Sequence, residues 1–157
     1  MEGALLMTIA YRYALTDQDR EACFAVRMEV FVKGQDVPPE LERDEFDAVA
    51  EHIVAEDENG RILGTARLRY LGDTAKIERV AVLEEARGKG IGRGIMAFII
   101  EKSARKGDIA KLKLGSQTHA IAFYAALGFE AVGAEYMDAG IPHRDMVKDN
   151  MILKDQK

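Results

Sequence analysis

Arg87-Gly88-Lys89-Gly90-Ile91-Gly92 joins a strand-like run to a helix-like run, and the fold turns on that junction. Upstream, Lys76-Ile77-Glu78-Arg79-Val80-Ala81-Val82 alternates charged and apolar residues before ending in a β-branched stretch, the pattern of a strand with one buried face. Downstream, Ile91, Ile95, Phe98, Ile99 and Lys102 share one face at helical spacing. A strand that feeds a helix through glycines leaves backbone N–H groups without intrahelical partners, all converging on one point. Such a point suits phosphate oxygens.

Working outward from the junction, residues 8–15 alternate with Ile9, Tyr11 and Tyr13 on one face, as in a half-buried strand. Thr16 and Asp17 can cap a helix expected to run to about Phe31, with Ala22, Cys23, Val26 and Val30 as its apolar stripe. Residues 34–47 hold Pro38-Pro39 and the acids Asp36, Glu40, Glu42, Asp44, Glu45 and Asp47, and read as a loop with at most a short helix. Residues 51–56 and 61–71 read as strands joined through Asn59-Gly60, a strong hairpin signal, and Gly72-Asp73 turns into the strand that ends at Val82. Past the glycine loop, a helix is expected to about Lys106 and a strand over 109–114. A short helix over 119–127 is then stopped by Gly128. Closing strands over 129–137 and 143–153 flank Gly140-Ile141-Pro142. The order β-α-(α)-β-β-β-α-β-α-β-β mixes hairpins with crossovers and predicts a mixed α+β sheet in place of a repeating βα wind.

The 157 residues suit one domain, spanning 1–157, with a sizeable core. The hydrophobic fraction of 48% and the charged fraction of 31% are ordinary for a soluble globular chain. A net charge of −5 argues against a nucleic-acid partner held by overall electrostatics. Locally the charge differs. Arg87, Lys89, Arg93, Lys102, Arg105 and Lys106 gather around the loop and its helix, opposed there only by Glu101. That pattern suits either a solvated helix face or a polyanionic small molecule at the helix start. The single cysteine, Cys23, excludes an internal disulfide, fits a reducing compartment and lies in an apolar stripe that points to core packing. Three histidines and one cysteine show no metal-ligand spacing, so no metal is expected. Ala4-Leu5-Leu6-Met7 is too short for a signal segment, and Met7 is an alternative start to Met1. No apolar stretch approaches the ~20 residues of a membrane helix, and a cytoplasmic location with no membrane partner is expected.

Three phosphate loops compete with a plain turn for residues 87–92. A P-loop needs G-x-x-x-x-G-K-[ST], which is absent. A dinucleotide fingerprint would put Arg93 where its third glycine belongs, and its ribose-binding acid would have to be Asp108, which precedes the next strand. The third pattern, R/Q-x-x-G-x-G/A, is met by Arg87, Gly90 and Gly92. Here the strand, loop and helix resemble the coenzyme A signature of GNAT-type N-acetyltransferases. Gln117-Thr118-His119-Ala120-Ile121-Ala122-Phe123-Tyr124-Ala125-Ala126-Leu127-Gly128-Phe129 resembles that family's second motif, in its usual order and with its usual gap. Arg27-Met28-Glu29-Val30-Phe31-Val32, then Gln35, Pro38, Asp44, Asp47 and His52, is similar to the ElaA/YjcF-like branch. So is Asp138-Ala139-Gly140-Ile141-Pro142-His143, followed by Met146.

The resemblance implies a GNAT fold: a mixed, mostly antiparallel sheet of six to seven strands with about four helices, its strands splayed around acetyl-CoA. It implies acetyl transfer from acetyl-CoA to an amine acceptor by direct attack in a ternary complex. The N–H groups of Gly88, Lys89, Gly90, Ile91, Gly92 and Arg93, behind Arg87, would hold the pyrophosphate with help from the helix dipole. The backbone of Val80, Ala81 and Val82 would pair with the pantetheine arm, and an N–H near Val80 or Ala81 would polarise the thioester carbonyl. Gln117 stands where an Asn is frequent and would touch the arm, beside Phe123. Tyr124 takes the family's tyrosine position, where it would protonate the departing thiolate; otherwise it is a buried helix aromatic.

The base is open. Alternation puts Glu78 on the same strand face as Val80 and Val82, where it would line the opening, unless it is paired with Arg79, Lys76 or a neighbouring strand. His143 is a second candidate near the mouth and His119 a structural one, while a water chain would serve without either. The acceptor would enter over the first helix and the following loop, edged by Arg27, Phe31, Gln35 and the acids of 40–47. Acidic lining there would suit an amine or polyamine; a solvated acidic surface is the alternative. A homodimer through the C-terminal strands follows by analogy alone. A noncatalytic acyl-CoA-binding module with the same pocket is the rival reading.

Overall fold

The computed structural model describes residues 8–152, and its strands are β1 (Ile9–Tyr13), β2 (Glu51–Asp57), β3 (Ile62–Leu71), β4 (Thr74–Val82), β5 (Lys111–Gln117), β6 (Glu130–Asp138) and β7 (Ile141–Asp149). They form one seven-stranded sheet in the order β1-β2-β3-β4-β5-β7-β6. Every neighbouring pair is antiparallel except β4 and β5, which run parallel. The expected run at 4–7, the choice between Met1 and Met7, and the end of the strand expected to reach Leu153 lie outside the described residues.

Helix α1 (Asp17–Arg27) starts where Thr16 accepts a hydrogen bond from the Asp19 N–H, and Asp17 and Asp19 place negative charge on its first turn. The chain does not stay α-helical to Phe31, as the periodicity suggests, but widens into π-helix over Met28–Lys33. Two short elements follow, α2 (Pro39–Glu42) and a 3-10 turn at Glu45–Ala48. Asn59-Gly60 closes the β2–β3 hairpin, with Gly60 at φ 83 and Asp57 Oδ1 accepting from the Asn59 and Arg61 N–H groups. Helix α3 (Ile91–Ala104) ends two residues before the expected Lys106, and α4 (Ile121–Ala125) follows a 3-10 turn. The strand expected over 109–114 begins later and extends to Gln117.

The helices take opposite faces of the sheet. Gly64 of β3 sits under Ile91 and Ile95 of α3, whereas Arg67, on the opposite parity of the strand, reaches Asp47, which Arg27 of α1 also binds. Ile95, Met96 and Ile99 of α3 bury fully against the sheet, with Ile53, Ala66, Leu68, Ile77 and Leu112 beneath. Cys23 is buried in the core on the α1 side, as its stripe implies.

Candidate active site

The two parallel strands part company. β4 and β5 pair only from Thr74 opposite Lys111 to Ile77 opposite Leu114. Beyond that point β4 continues to Val82 and β5 to Gln117 without pairing each other, so one edge of each strand faces a cleft. A cavity of about 700 Å³ fills the divergence and runs from the glycine loop to the C-terminal hairpin.

At one end of the cavity, Gly88 and Gly90 both adopt φ 79, a left-handed conformation that costs glycine little and other residues more. A Cβ on either would meet nothing within 4 Å, so their backbone faces open space at the start of α3. Arg87 donates from Nε to the Val82 carbonyl at 3.1 Å, tying the loop back to the end of β4. Arg87, Gly88, Gly90, Ile91, Gly92 and Arg93 line the cavity, as do Val80, Ala81 and Val82; Lys89 does not. The other cations of the basic stretch lie elsewhere. Lys102, in the last turn of α3, and Arg105 and Lys106, just past it, sit at the far end of a helix roughly 20 Å long, where Arg105 pairs with Glu101 and Lys106 lies over the Tyr70 ring.

Tyr124 and Phe123 close the side wall from α4, their rings edge to face with centroids 4.9 Å apart. Burial pushes the Tyr124 phenol up to about 12, so it holds its proton at any working pH. Its hydroxyl makes no hydrogen bond among the described residues. Gln117, the last residue of β5, donates from Nε2 to Gln35 Oε1 at 2.8 Å, while His119 Nε2 lies 2.7 Å from Gln117 Oε1. Gln35, Phe31 and Val30 bring the π-helical turn and the loop after it to the opposite wall.

Strand β4 carries a bulge that alternation does not reveal. Glu78 faces Arg67 of β3, yet Ala81 faces Thr65, one residue more on β4 than on β3, and Arg79 takes φ 56. Glu78 therefore shares its face with Ala81, and the expected common face of Glu78, Val80 and Val82 does not exist. The Glu78 carboxylate lines the cavity but is engaged by Arg67 Nη2 at 2.8 Å, Arg69 Nε at 2.8 Å and Lys76 Nζ at 3.4 Å. Although burial opposes ionisation, these cations hold it down at about 2. A carboxylate so stabilised is a poor proton acceptor at neutral pH.

Arg27 is not at the mouth. It is buried (1% exposed), with Nε 2.9 Å from Glu42 Oε2 and Nη1 2.8 Å from Asp47 Oδ1. The expected acidic lining is also largely consumed. Asp44 and Asp47 turn inward onto Arg67, and Glu42 binds both Arg27 and Arg79. The spacing of acids along 36–47 gives no sign of this, because their cationic partners come from α1, β3 and β4.

At the far end, His143 stacks on Tyr136 at 5.8 Å between centroids, and its Nδ1 lies 2.7 Å from the Ile141 carbonyl. A carbonyl only accepts, so Nδ1 carries the hydrogen and a neutral ring leaves its Nε2 lone pair free. Tyr136 donates to Asp145 Oδ1 at 2.7 Å, and both line the cavity with His143. Sequence reasoning missed Tyr136 and Asp145. The one signal was Gly115 on β5, across β7 from Tyr136, where a Cβ would collide with the Tyr136 hydroxyl.

A parallel pair that splays around a glycine-capped helix, within an otherwise antiparallel seven-stranded sheet, is the architecture of acyl-CoA N-acyltransferases. Residues 14–150 match the family model of the acetyltransferase (GNAT) domain, and the chain belongs to that family. It is 40% identical over 137 residues to the uncharacterized N-acetyltransferase YjcF of Bacillus subtilis (strain 168), covering 87% of this chain and 96% of that one. An acyl-CoA N-acyltransferase from Pseudomonas aeruginosa superposes with a TM-score of 0.80 at 30% identity, over 90% of this chain and 99% of that one. Escherichia coli ElaA superposes with a TM-score of 0.78 at 26% identity, over 90% of this chain and 99% of that one. Among the described residues no helix is long and apolar enough to cross a membrane.

Proposed function

We propose that the protein transfers an acetyl group from acetyl-CoA to an amine acceptor by direct attack, with Tyr124 as general acid. The observation that carries this reading is the Tyr124 hydroxyl, without a hydrogen-bond partner among the described residues, in the cleft between β4 and β5. Acetyl-CoA supplies the acyl thioester. The open backbone at Gly88 and Gly90, ahead of the N-terminus of α3, is suited to its pyrophosphate. The free edge of β4 at Val80, Ala81 and Val82 is suited to the extended pantetheine arm, by the same hydrogen bonds a further strand would make.

On this reading the acceptor enters between the Val30–Phe31–Gln35 wall and the Tyr136–His143–Asp145 wall. Its nitrogen forms the C–N bond as the C–S bond breaks, and Tyr124 gives its proton to the sulfur as the thiolate leaves. The acceptor's own proton goes to His143 Nε2 or to water, since Glu78 is held as an ion pair. Residues 1–157 act as one catalytic domain. Titration calorimetry with acetyl-CoA, followed by thiol release across a panel of alkylamines, polyamines, amino acids and peptides, tests the reading. Saturable binding with turnover on one acceptor class is expected. Binding with no thiol release on any member would favour the noncatalytic acyl-CoA-binding module.

A further inference from the structure

We propose that Arg79 is a positioning residue: its side chain, clamped by Glu42 and Asp44, holds the β4 bulge in the shape that presents the Val80–Ala81 backbone to the thioester carbonyl. This rests on the reading of the cleft as an acetyl-CoA site. Arg79 occupies the left-handed region at φ 56, where a side chain is strained and glycine is the usual occupant. Such a conformation persists only where surrounding contacts fix it, and the side chain supplies several. Its Nε lies 3.1 Å from the Glu42 carbonyl and 3.0 Å from Glu42 Oε2, and its Nη2 lies 3.3 Å from Asp44 Oδ2.

The partners of that clamp are themselves fixed. Glu42 is buried and bound by Arg27 at 2.9 Å, and Asp44 caps the 3-10 turn and accepts from Arg67 at 2.7 Å. Arg67 also holds Glu78, so two successive β4 residues, Glu78 and Arg79, reach one ionic cluster. In an unbroken strand, successive side chains point to opposite faces and this could not happen. The bulge and the cluster thus require each other, and the next residues, Val80 and Ala81, line the cleft. The clamp also ties the α2 loop, whose Leu41 lines the same cavity, to the backbone that would polarise the donor.

An acceptor-independent spectrum tests this: the infrared carbonyl band of [1-13C]acetyl-CoA bound to the full chain, for wild type and for Arg79→Gly. Glycine tolerates the left-handed backbone but cannot make the clamp. In wild type the bound band is expected below its free position, with most of that shift lost in Arg79→Gly while the acetyl-CoA Kd changes less than about threefold. A wild-type shift retained in Arg79→Gly would overturn the proposal, because a side chain important only for stability would lower Tm and leave the band in place. Should Arg79→Gly not fold, Arg79→Lys carries the same test: it keeps a charge near Asp44 but cannot fork onto Glu42. An intermediate band is then expected, and a full wild-type shift overturns the clamp. No acetyl-CoA binding by wild type would instead refute the donor site, a distinguishable failure.

Discussion

At the residue scale, the cleft depends on charges largely withdrawn from solvent. Arg27 pairs with both Glu42 and Asp47, and removing it leaves these buried carboxylates with only Arg79 and Arg67 as cationic partners. Arg27→Met is expected to cost about 3–5 kcal/mol, the usual penalty for breaking a buried pair, measured by urea unfolding. Glu78 contributes in a pH-dependent way. Its carboxyl is held at about 2 against an ordinary 4.5. A depressed folded value means the contribution is present above pH 4.5 and is lost as pH falls from 4.5 toward 2. Unfolding free energy should therefore drop across that window, and Glu78→Gln should start lower at pH 7 and drop less steeply. Equal slopes for the two proteins would remove Glu78 from the acid response. Residues whose role is set by local backbone, such as Gly88 and Gly90, can be read from sequence. Glu78 and Arg27 cannot be read that way, because their partners Arg67, Arg69, Glu42 and Asp47 lie on other elements.

At the element scale, the sequence pattern locates the seven strands and α1, α3 and α4, but not α2, the 3-10 turns or the breaks within the longer elements. The alternation of 76–82 conceals the extra residue at Arg79, since a bulge changes register without changing composition. The stripe Cys23, Val26, Val30 likewise continues through the switch from α- to π-helix, because both keep that face buried. Helix α3 carries a constraint of its own at Gly94. A Cβ there would fall within the Tyr11 ring of β1, whereas at Gly92 it would meet only Phe123 Cζ at 3.6 Å and Val82 Cγ2 at 3.8 Å. Gly94→Ala is thus expected to destabilise by about 1–3 kcal/mol through overpacking. Gly92→Ala should leave Tm near wild type. Thermal unfolding of the pair checks the contrast, and a Gly94→Ala protein as stable as Gly92→Ala would contradict the packing of β1 on α3.

At the scale of the whole molecule, one parallel contact in an antiparallel sheet creates the site. Because β4 reaches β5 through α3, the two strands run the same way, and their divergence after Ile77 and Leu114 opens a slot between the halves of the sheet. The N-terminal half supplies the Phe31 and Gln35 wall, the glycine loop one end, and the C-terminal hairpin the wall of Tyr136 and His143. The proposed donor end is legible in sequence because it is made of a contiguous loop and a contiguous short helix. The proposed acceptor end draws on the π-helical turn, α2, β6 and β7, so no local spacing encodes it. In the proposed reaction Tyr124 hands a proton to the departing thiolate. The most direct test of that step is the turnover of Tyr124→Phe beside its acetyl-CoA affinity, using an acceptor that wild type acetylates. A fall in kcat of about 100-fold or more with Kd unchanged is expected; wild-type kcat across the pH range would contradict it.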